Sequence, residues 1–307
     1  MTRTRILILR GGAIGDFILT LPALTAVRRQ WPEAYIELAG YPHIARLALA
    51  GGLADRITSL DKADMAQYYS LKATISPESR EYIQSFNLIV SYLYDPDETV
   101  RNNLKSAGAR RVVYADPRVK AGHAADRLFE PLEELAVYPE GTPVPELNLG
   151  KEHINNGMRL IAPGGERIAA LHPGSGGQAK QWELKHFITL ATAIRENYAL
   201  EPVFILGEAE QEFKTTLAVA APRYRVLSGI SLVELAEALS ACACCAGNDS
   251  GVTHLAASLG IPTLALFGPT DPAMWGPRGE KVRVVKKGDS MSDIGVEDAL
   301  EALESIV

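Results

Sequence analysis

The stretch Gly247-Asn248-Asp249-Ser250-Gly251-Val252-Thr253-His254 decides the architecture of this chain. Before it runs the apolar segment Cys242 to Ala246, which has the length and two-faced apolarity of a buried strand. After it, through Leu255-Ala256-Ala257 to Gly260, apolar residues return at helical spacing. The reading is strand, tight turn, helix. The first N–H groups of such a helix have no intrahelical partner, and Gly247 and Gly251 carry no Cβ to obstruct an approaching anion, so the turn is a candidate diphosphate cradle. A plain N-cap by Asp249 or Ser250 accounts for the octapeptide equally well.

Working outward, the same plan recurs along the chain. Ile6 to Leu9 is apolar on both faces, as a buried parallel strand must be, and leads through Arg10-Gly11-Gly12-Ala13-Ile14-Gly15-Asp16 into a helical pattern from Phe17 to Gln30. A dinucleotide fingerprint needs glycine where Arg10 stands, and Glu37 falls inside the next strand, Tyr35 to Ala39, rather than at its end. NAD binding is therefore set aside. Strands at 57–60, 88–92 and 111–114 alternate with helical patterns. Residues 138–145, rich in proline and glycine, then read as an interdomain connection. Ile168 to Leu171 opens a second series, leading into His172-Pro173-Gly174-Ser175-Gly176-Gly177-Gln178-Ala179-Lys180. Strands at 203–206, 225–227, 242–246, 263–267 and 282–285 complete it, and an amphipathic helix follows from Val296, free to pack back across the cleft. The expectation is an α/β chain of two doubly wound, Rossmann-like domains, 1–150 and 151–307. They would face each other across a cleft, with the glycine-rich loops at the C-terminal edges of the sheets, where such sheets bind ligands.

Length agrees, since 307 residues suit two cores of roughly 150 residues each. A content of 47% hydrophobic and 22% charged residues is that of an ordinary soluble protein, and the net charge of −6 argues against a nucleic-acid partner. The three cysteines, Cys242, Cys244 and Cys245, crowd one apolar strand without further ligands at zinc spacing, so they read as small core residues in a reducing compartment. Arg10 cuts the first apolar run too short for a signal-peptide core. No run approaches the ~20 residues that span a bilayer. The expected location is cytoplasmic.

With the loops placed, the chain resembles the ADP-heptose:lipopolysaccharide heptosyltransferases, glycosyltransferase family 9, whose fold is GT-B. Three motifs in the family's order carry the resemblance across nearly the whole chain. They are Gly15-Asp16 with Leu21-Pro22-Ala23-Leu24; His172-Pro173-Gly174-Ser175 with Lys180 and Trp182; and Asn248-Asp249-Ser250-Gly251 with His254, followed by Phe267-Gly268-Pro269-Thr270-Asp271-Pro272. The resemblance implies an inverting glycosyltransferase that moves a sugar, heptose by analogy, from an ADP-linked donor to a hydroxyl of a lipopolysaccharide-core-like acceptor, without a metal cofactor.

In that family the aspartate of the first motif is the general base, here Asp16. A sugar hydroxyl is a poor nucleophile, so a carboxylate within hydrogen-bond reach must take its proton. Lys180 matches the lysine that stabilises the diphosphate leaving group. Gly12, Gly15, Ser175, Gly176, Asp249, Ser250, Gly251 and His254 join it as donor-binding candidates. Either Glu208 or Glu210 corresponds to the acid on the donor's ribose, and Ile230 falls where the family lines its base pocket. The bland alternatives are an N-cap for Asp16 on a helix beginning near Phe17, and a solvated loop position for Lys180.

One departure concerns the first loop, where Gly11, Gly12 and Ala13 stand in place of the hydroxyl side chains of some members. A second region offers only charge. Arg118, Lys120, His123 and Arg127 belong to a basic run between 101 and 127 that suits an anionic acceptor, or is simply a solvated face. The family adds a peripheral position at the cytoplasmic face of the inner membrane.

Three rivals remain. Asp95-Pro96-Asp97 has the D-x-D form that holds a divalent metal in GT-A transferases, although that plan has no place for a second glycine-rich sheet. A sugar-nucleotide epimerase of GT-B shape would use the same cradle without an acceptor. A non-catalytic sugar-nucleotide-binding protein would keep the cradle and lose turnover.

Overall fold

Strands that are apolar on both faces need helices on both sides of their sheet. The computed structural model, which describes residues 3–71, 74–207 and 210–307, meets that need twice. The chain divides into two compact units, Met1–Pro143 and Val144–Val307, with the division inside the proline-rich stretch and against an expected boundary at 150.

The first unit runs β1 (Arg5–Arg10), α1 (Ile14–Gln30), β2 (Tyr35–Gly40), α2 (Pro42–Ala50), β3 (Arg56–Ser59), α3 (Ala63–Ala66), α4 (Pro77–Gln84), β4 (Leu88–Tyr92), α5 (Thr99–Ser106), β5 (Val112–Tyr114) and α6 (Ala124–Phe129). Its strands are parallel, in the order β3-β2-β1-β4-β5. Leu7, Leu9, Ile83, Phe86 and Ile89 are among the residues of one buried cluster beside this sheet. Glu37 is buried in β2, where its carboxylate accepts from Thr58 Oγ1 at 2.5 Å and from the Tyr82 hydroxyl at 2.8 Å. It is a satisfied structural acid, as its mid-strand position implied.

The second unit runs α7 (Lys151–Ile161), β6 (Ile168–His172), α8 (Leu184–Tyr198), β7 (Glu201–Leu206), α9 (Gln211–Ala220), β8 (Arg225–Ser228), α10 (Leu232–Ser240), β9 (Cys244–Asn248), α11 (Gly251–Ser258), β10 (Thr263–Leu266), α12 (Pro272–Trp275), β11 (Val282–Val285) and α13 (Val296–Glu304). These strands too are parallel, in the order β11-β10-β9-β6-β7-β8. Gly157 lets α7 lie directly against α10, because a Cβ there would run into the Glu237 carbonyl. Ala299 and Leu303 of α13 are buried in the same cluster as Trp182, Phe187 and Phe204 of this unit.

In each sheet the strand order reverses once, between β1 and β4 and between β6 and β9. At such a point the following loops part in opposite directions and leave a crevice at the strands' carboxyl ends. The glycine-rich loops after β1, β6 and β9 all leave from these points.

Two boundaries differ from those read in the sequence. The β9 strand begins at Cys244 and continues through Gly247 and Asn248, two residues into what reads as a turn. Asn248 can end a buried strand because its side chain is fully used: Nδ2 donates to the Pro173 carbonyl at 2.8 Å, and Oδ1 accepts from the Trp182 N–H at 3.1 Å. Helix α1 begins at Ile14 rather than near Phe17. The three cysteines are free and buried, and burial pushes their thiols up, that of Cys244 to about 12.

Candidate active site

In the first unit the site is built where β1 ends. Asp16 lies in the third position of α1, so it is part of the first helical turn rather than the N-cap. Its Oδ2 accepts from the Ala13 N–H at 2.9 Å, which satisfies one orphan donor of the helix terminus. Among the described residues Oδ1 makes no hydrogen bond, and the carboxylate is half-buried. Gly12 makes this geometry possible: its φ is +95°, and a Cβ there would lie 2.8 Å from Asp16 Oδ2.

Beneath Asp16 sits a charge to which the sequence motifs assign no role in the site. Arg10, the last residue of β1, is 4% exposed. Its Nε donates to Thr20 Oγ1 at 2.8 Å and its Nη2 to the Asp16 carbonyl at 2.6 Å, while Thr20 Oγ1 donates to that same carbonyl at 2.8 Å. Burial pulls the Arg10 pKa down from its usual value, and the nearby Asp16 and Tyr92 groups pull the other way. Arg10 and Tyr92 are register partners across β1 and β4. The signal in the sequence was a charged residue closing an otherwise apolar buried strand.

A cavity of about 640 Å³ opens here, with Arg10, Gly12, Asp16, Tyr92 and Arg118 in its lining. Lys120, His123 and Arg127 are not part of that lining. His123 caps α6 through Nδ1, which accepts from the Ala125 N–H at 3.2 Å. Arg127 donates to Glu130 Oε1 at 2.6 Å and to the Ala121 carbonyl at 2.8 Å. Arg118 grips Asp116 through Nε and Nη2 at 3.2 and 3.0 Å. Arg118 and Arg127 are thus each paired with a carboxylate at the surface. The D-x-D carboxylate is occupied as well, because Asp95 accepts from the N–H groups of Val100 at 3.0 Å and Arg101 at 2.8 Å, stitching its loop to α5.

In the second unit the loops after β6 and β9 are tied together at one carboxylate. Lys180 Nζ lies 2.9 Å from Asp249 Oδ2, and Thr270 Oγ1 donates to the same oxygen at 2.6 Å. Ser175 Oγ donates to the Asp249 carbonyl at 2.7 Å. Ser250 caps α11, with Oγ accepting from the Thr253 N–H at 3.3 Å, and Gly251 opens the helix. Ser250 is thus the N-cap that the octapeptide offered, and Asp249 beside it carries the contact to Lys180. Thr253 Oγ1 donates to the Asn248 carbonyl at 2.6 Å, and a Cβ on Gly247 would lie 2.5 Å from Thr253 Oγ1. Asn248 and Thr270 stand inside the quoted motifs, yet nothing in their spacing reveals what they bind.

The remaining donor-side candidates lie on neighbouring edges. His172 is buried, with its ring Nδ1 3.0 Å from the Ile205 carbonyl, and burial lowers its pKa against the opposing pull of that carbonyl and of Glu210. Glu210 Oε2 accepts from the Gly207 N–H at 2.6 Å, and the carboxyl group packs on Gly174, where a Cβ would collide with it. Glu208 lies outside the described residues. His254 is buried on α11, Gly176 is exposed, and Ile230 is half-buried beside Gly229, whose φ is +74°.

Residues 102–302 match the model of glycosyltransferase family 9 (heptosyltransferase). Among curated proteins, the lipopolysaccharide heptosyltransferase 1 of Pseudomonas aeruginosa is 26% identical over 298 residues, covering 90% of this chain and 81% of its own. The lipopolysaccharide heptosyltransferase 1 of Escherichia coli is 21% identical, covering 98% of this chain and 100% of its own. Among solved structures, a family 9 glycosyl transferase from Veillonella parvula superposes with a TM-score of 0.81 at 21% identity, covering 100% of this chain and 98% of its own. The E. coli heptosyltransferase WaaC with ADP gives a TM-score of 0.78 at 19% identity, covering 99% and 100%. At these identities the structural likeness is one of fold, and the fold is GT-B.

Proposed function

The chain belongs to glycosyltransferase family 9, the heptosyltransferases, and from that premise we propose that it transfers heptose from an ADP-linked donor to a hydroxyl of an anionic, lipopolysaccharide-core-type acceptor. The observation that carries this reading is the Asp16 carboxylate, held by one oxygen, in the wall of a sugar-sized cavity. Asp16 takes the proton of the acceptor hydroxyl, the oxygen attacks the anomeric carbon from the face opposite the leaving group, and the bond to the diphosphate breaks. The configuration inverts.

The leaving diphosphate gains negative charge as that bond breaks. Lys180 and the N-terminal N–H groups of α11, with Ser250 and Gly251, take it up without a metal ion; the Lys180 ammonium at the Asp249 carboxylate, just before that helix, supports this. Ser175, Gly176, Asp249 and His254 complete the donor side, Glu210 is the acid for the ribose hydroxyls, and Ile230 lines the base pocket. Gly12 and Gly15 bring backbone close to the donor sugar. Arg118, Lys120, His123 and Arg127 serve the acceptor. Two structures of one relative support the donor: E. coli WaaC was solved with ADP and with ADP-2-deoxy-2-fluoro heptose.

Among the described residues no helix is long and apolar enough to cross a membrane. By analogy with its family, the chain would meet a lipid-linked acceptor peripherally, at the cytoplasmic face of the inner membrane.

The test is a transfer assay with ADP-heptose and truncated lipopolysaccharide cores, run with and without acceptor and read by mass spectrometry. The expected result is a core heavier by one heptose. Epimerised donor without acceptor, or donor binding with no turnover, would replace this reading with one of its rivals.

A further inference from the structure

The cavity beside Asp16 carries a wall that the motifs do not explain. Tyr41, Tyr69, Tyr92 and Tyr94 all line it, Tyr92 from the end of β4 and the others from the segments after β2, α3 and β4. Tyr41, Tyr69 and Tyr94 are 37%, 44% and 50% exposed, unusual for large rings gathered at one place. Aromatic faces with polar edges suit a ligand that is apolar on its C–H face and polar at its rim, which describes a pyranose.

The charges on the wall are balanced: Arg10 and Arg118 stand against Asp16 and Asp61. Both cations are also committed. Arg10 is held by Thr20 and the Asp16 carbonyl. Arg118 spends Nε and Nη2 on Asp116, donates from Nη1 to the Tyr94 hydroxyl at 2.7 Å, and lies 3.9 Å from the centre of that ring. A carboxylated ring placed here would meet the carboxylates of Asp16 and Asp61, and among the described residues of the lining both cations already have partners.

We infer that this cavity is the subsite for the sugar ring bearing the attacking hydroxyl, and that this ring is an uncharged pyranose stacked on tyrosine. The inference rests on the reading of Asp16 as the base. Anionic groups of the acceptor lie outside the cavity. Discrimination comes from the tyrosine faces and from the two carboxylates, which reject a charged ring.

The test uses the full chain, ADP-heptose and two core oligosaccharides, one ending in a neutral heptose and one in a carboxylated sugar. Wild type should favour the neutral core in kcat/KM by about tenfold or more. Tyr69→Leu should raise the acceptor KM about fivefold to tenfold, with the donor KM and Tm held, while Tyr69→Phe stays near wild type. Preference for the carboxylated core overturns the inference and leaves the transferase reading intact. A rise in donor KM instead assigns the cavity to the donor sugar and equally overturns it. Transfer to neither core removes the reading under it, and the inference falls with that.

Discussion

Lys180 and Asp249, which stand 69 residues apart on loops after different strands, form an ion pair of 2.9 Å. The lysine side chain is about one-third exposed, so the pair adds little to stability. Its importance lies in where it holds the charge. Lys180→Ala should weaken ADP binding about tenfold and slow turnover, because the lost charge grows in value as the leaving group ionises. Asp249→Asn should bind ADP no more weakly than wild type, since it removes an anion from the cradle. Titration calorimetry on both variants decides, and equal weakening in the two would make the pair a structural tie only.

Asp16→Asn keeps an oxygen that can accept from the Ala13 N–H, and so keeps the turn. It removes the proton acceptor. Turnover should fall roughly 10²–10⁴-fold with Tm and ADP affinity near wild type. A near-normal transfer rate in this variant would sink the mechanism.

Gly12→Ala should damage the same carboxylate from the other side. Its φ of +95° disfavours any side chain, and the new Cβ would press on Asp16 Oδ2. We expect a loss of about 1–2 kcal/mol in stability and a fall in kcat larger than any change in donor affinity. Wild-type Tm together with wild-type kcat would show that the loop relaxes freely.

The buried His172 predicts a pH dependence. Burial holds its folded pKa below the usual 6.5, so as pH falls through that value the unfolded chain takes up a proton that the folded chain resists. The stability from neutral His172 is complete above about pH 6.5 and declines below it. Thermal melts between about pH 7.5 and 5.5 should slope less steeply in His172→Gln than in wild type. Identical slopes would assign the effect to other groups.

Independence from divalent metal is a further expectation, given Lys180, the start of α11, and an Asp95 carboxylate already engaged by two backbone N–H groups. Transfer should persist in excess chelator. Loss in EDTA with recovery on adding Mg²⁺ would return attention to a metal-assisted route.

The sequence by itself determined the alternation of strand and helix, because runs such as Ile6 to Leu9 are apolar on both faces and can only be buried between helices. It also determined which loops are glycine-rich and that Asp16, Lys180 and Asp249 stand in or directly after them, since these are local features of composition and spacing. Only the tertiary structure decided what those residues touch. Parallel pairing of β6 with β9 puts His172 opposite Gly247 and so brings Ser175 and Lys180 onto Asp249. Pairing of β1 with β4 puts Arg10 opposite Tyr92 and so brings Tyr92 into the same cavity wall as Asp16. Strand order depends on how whole sheets bury their faces, a non-local balance that no short window of sequence contains.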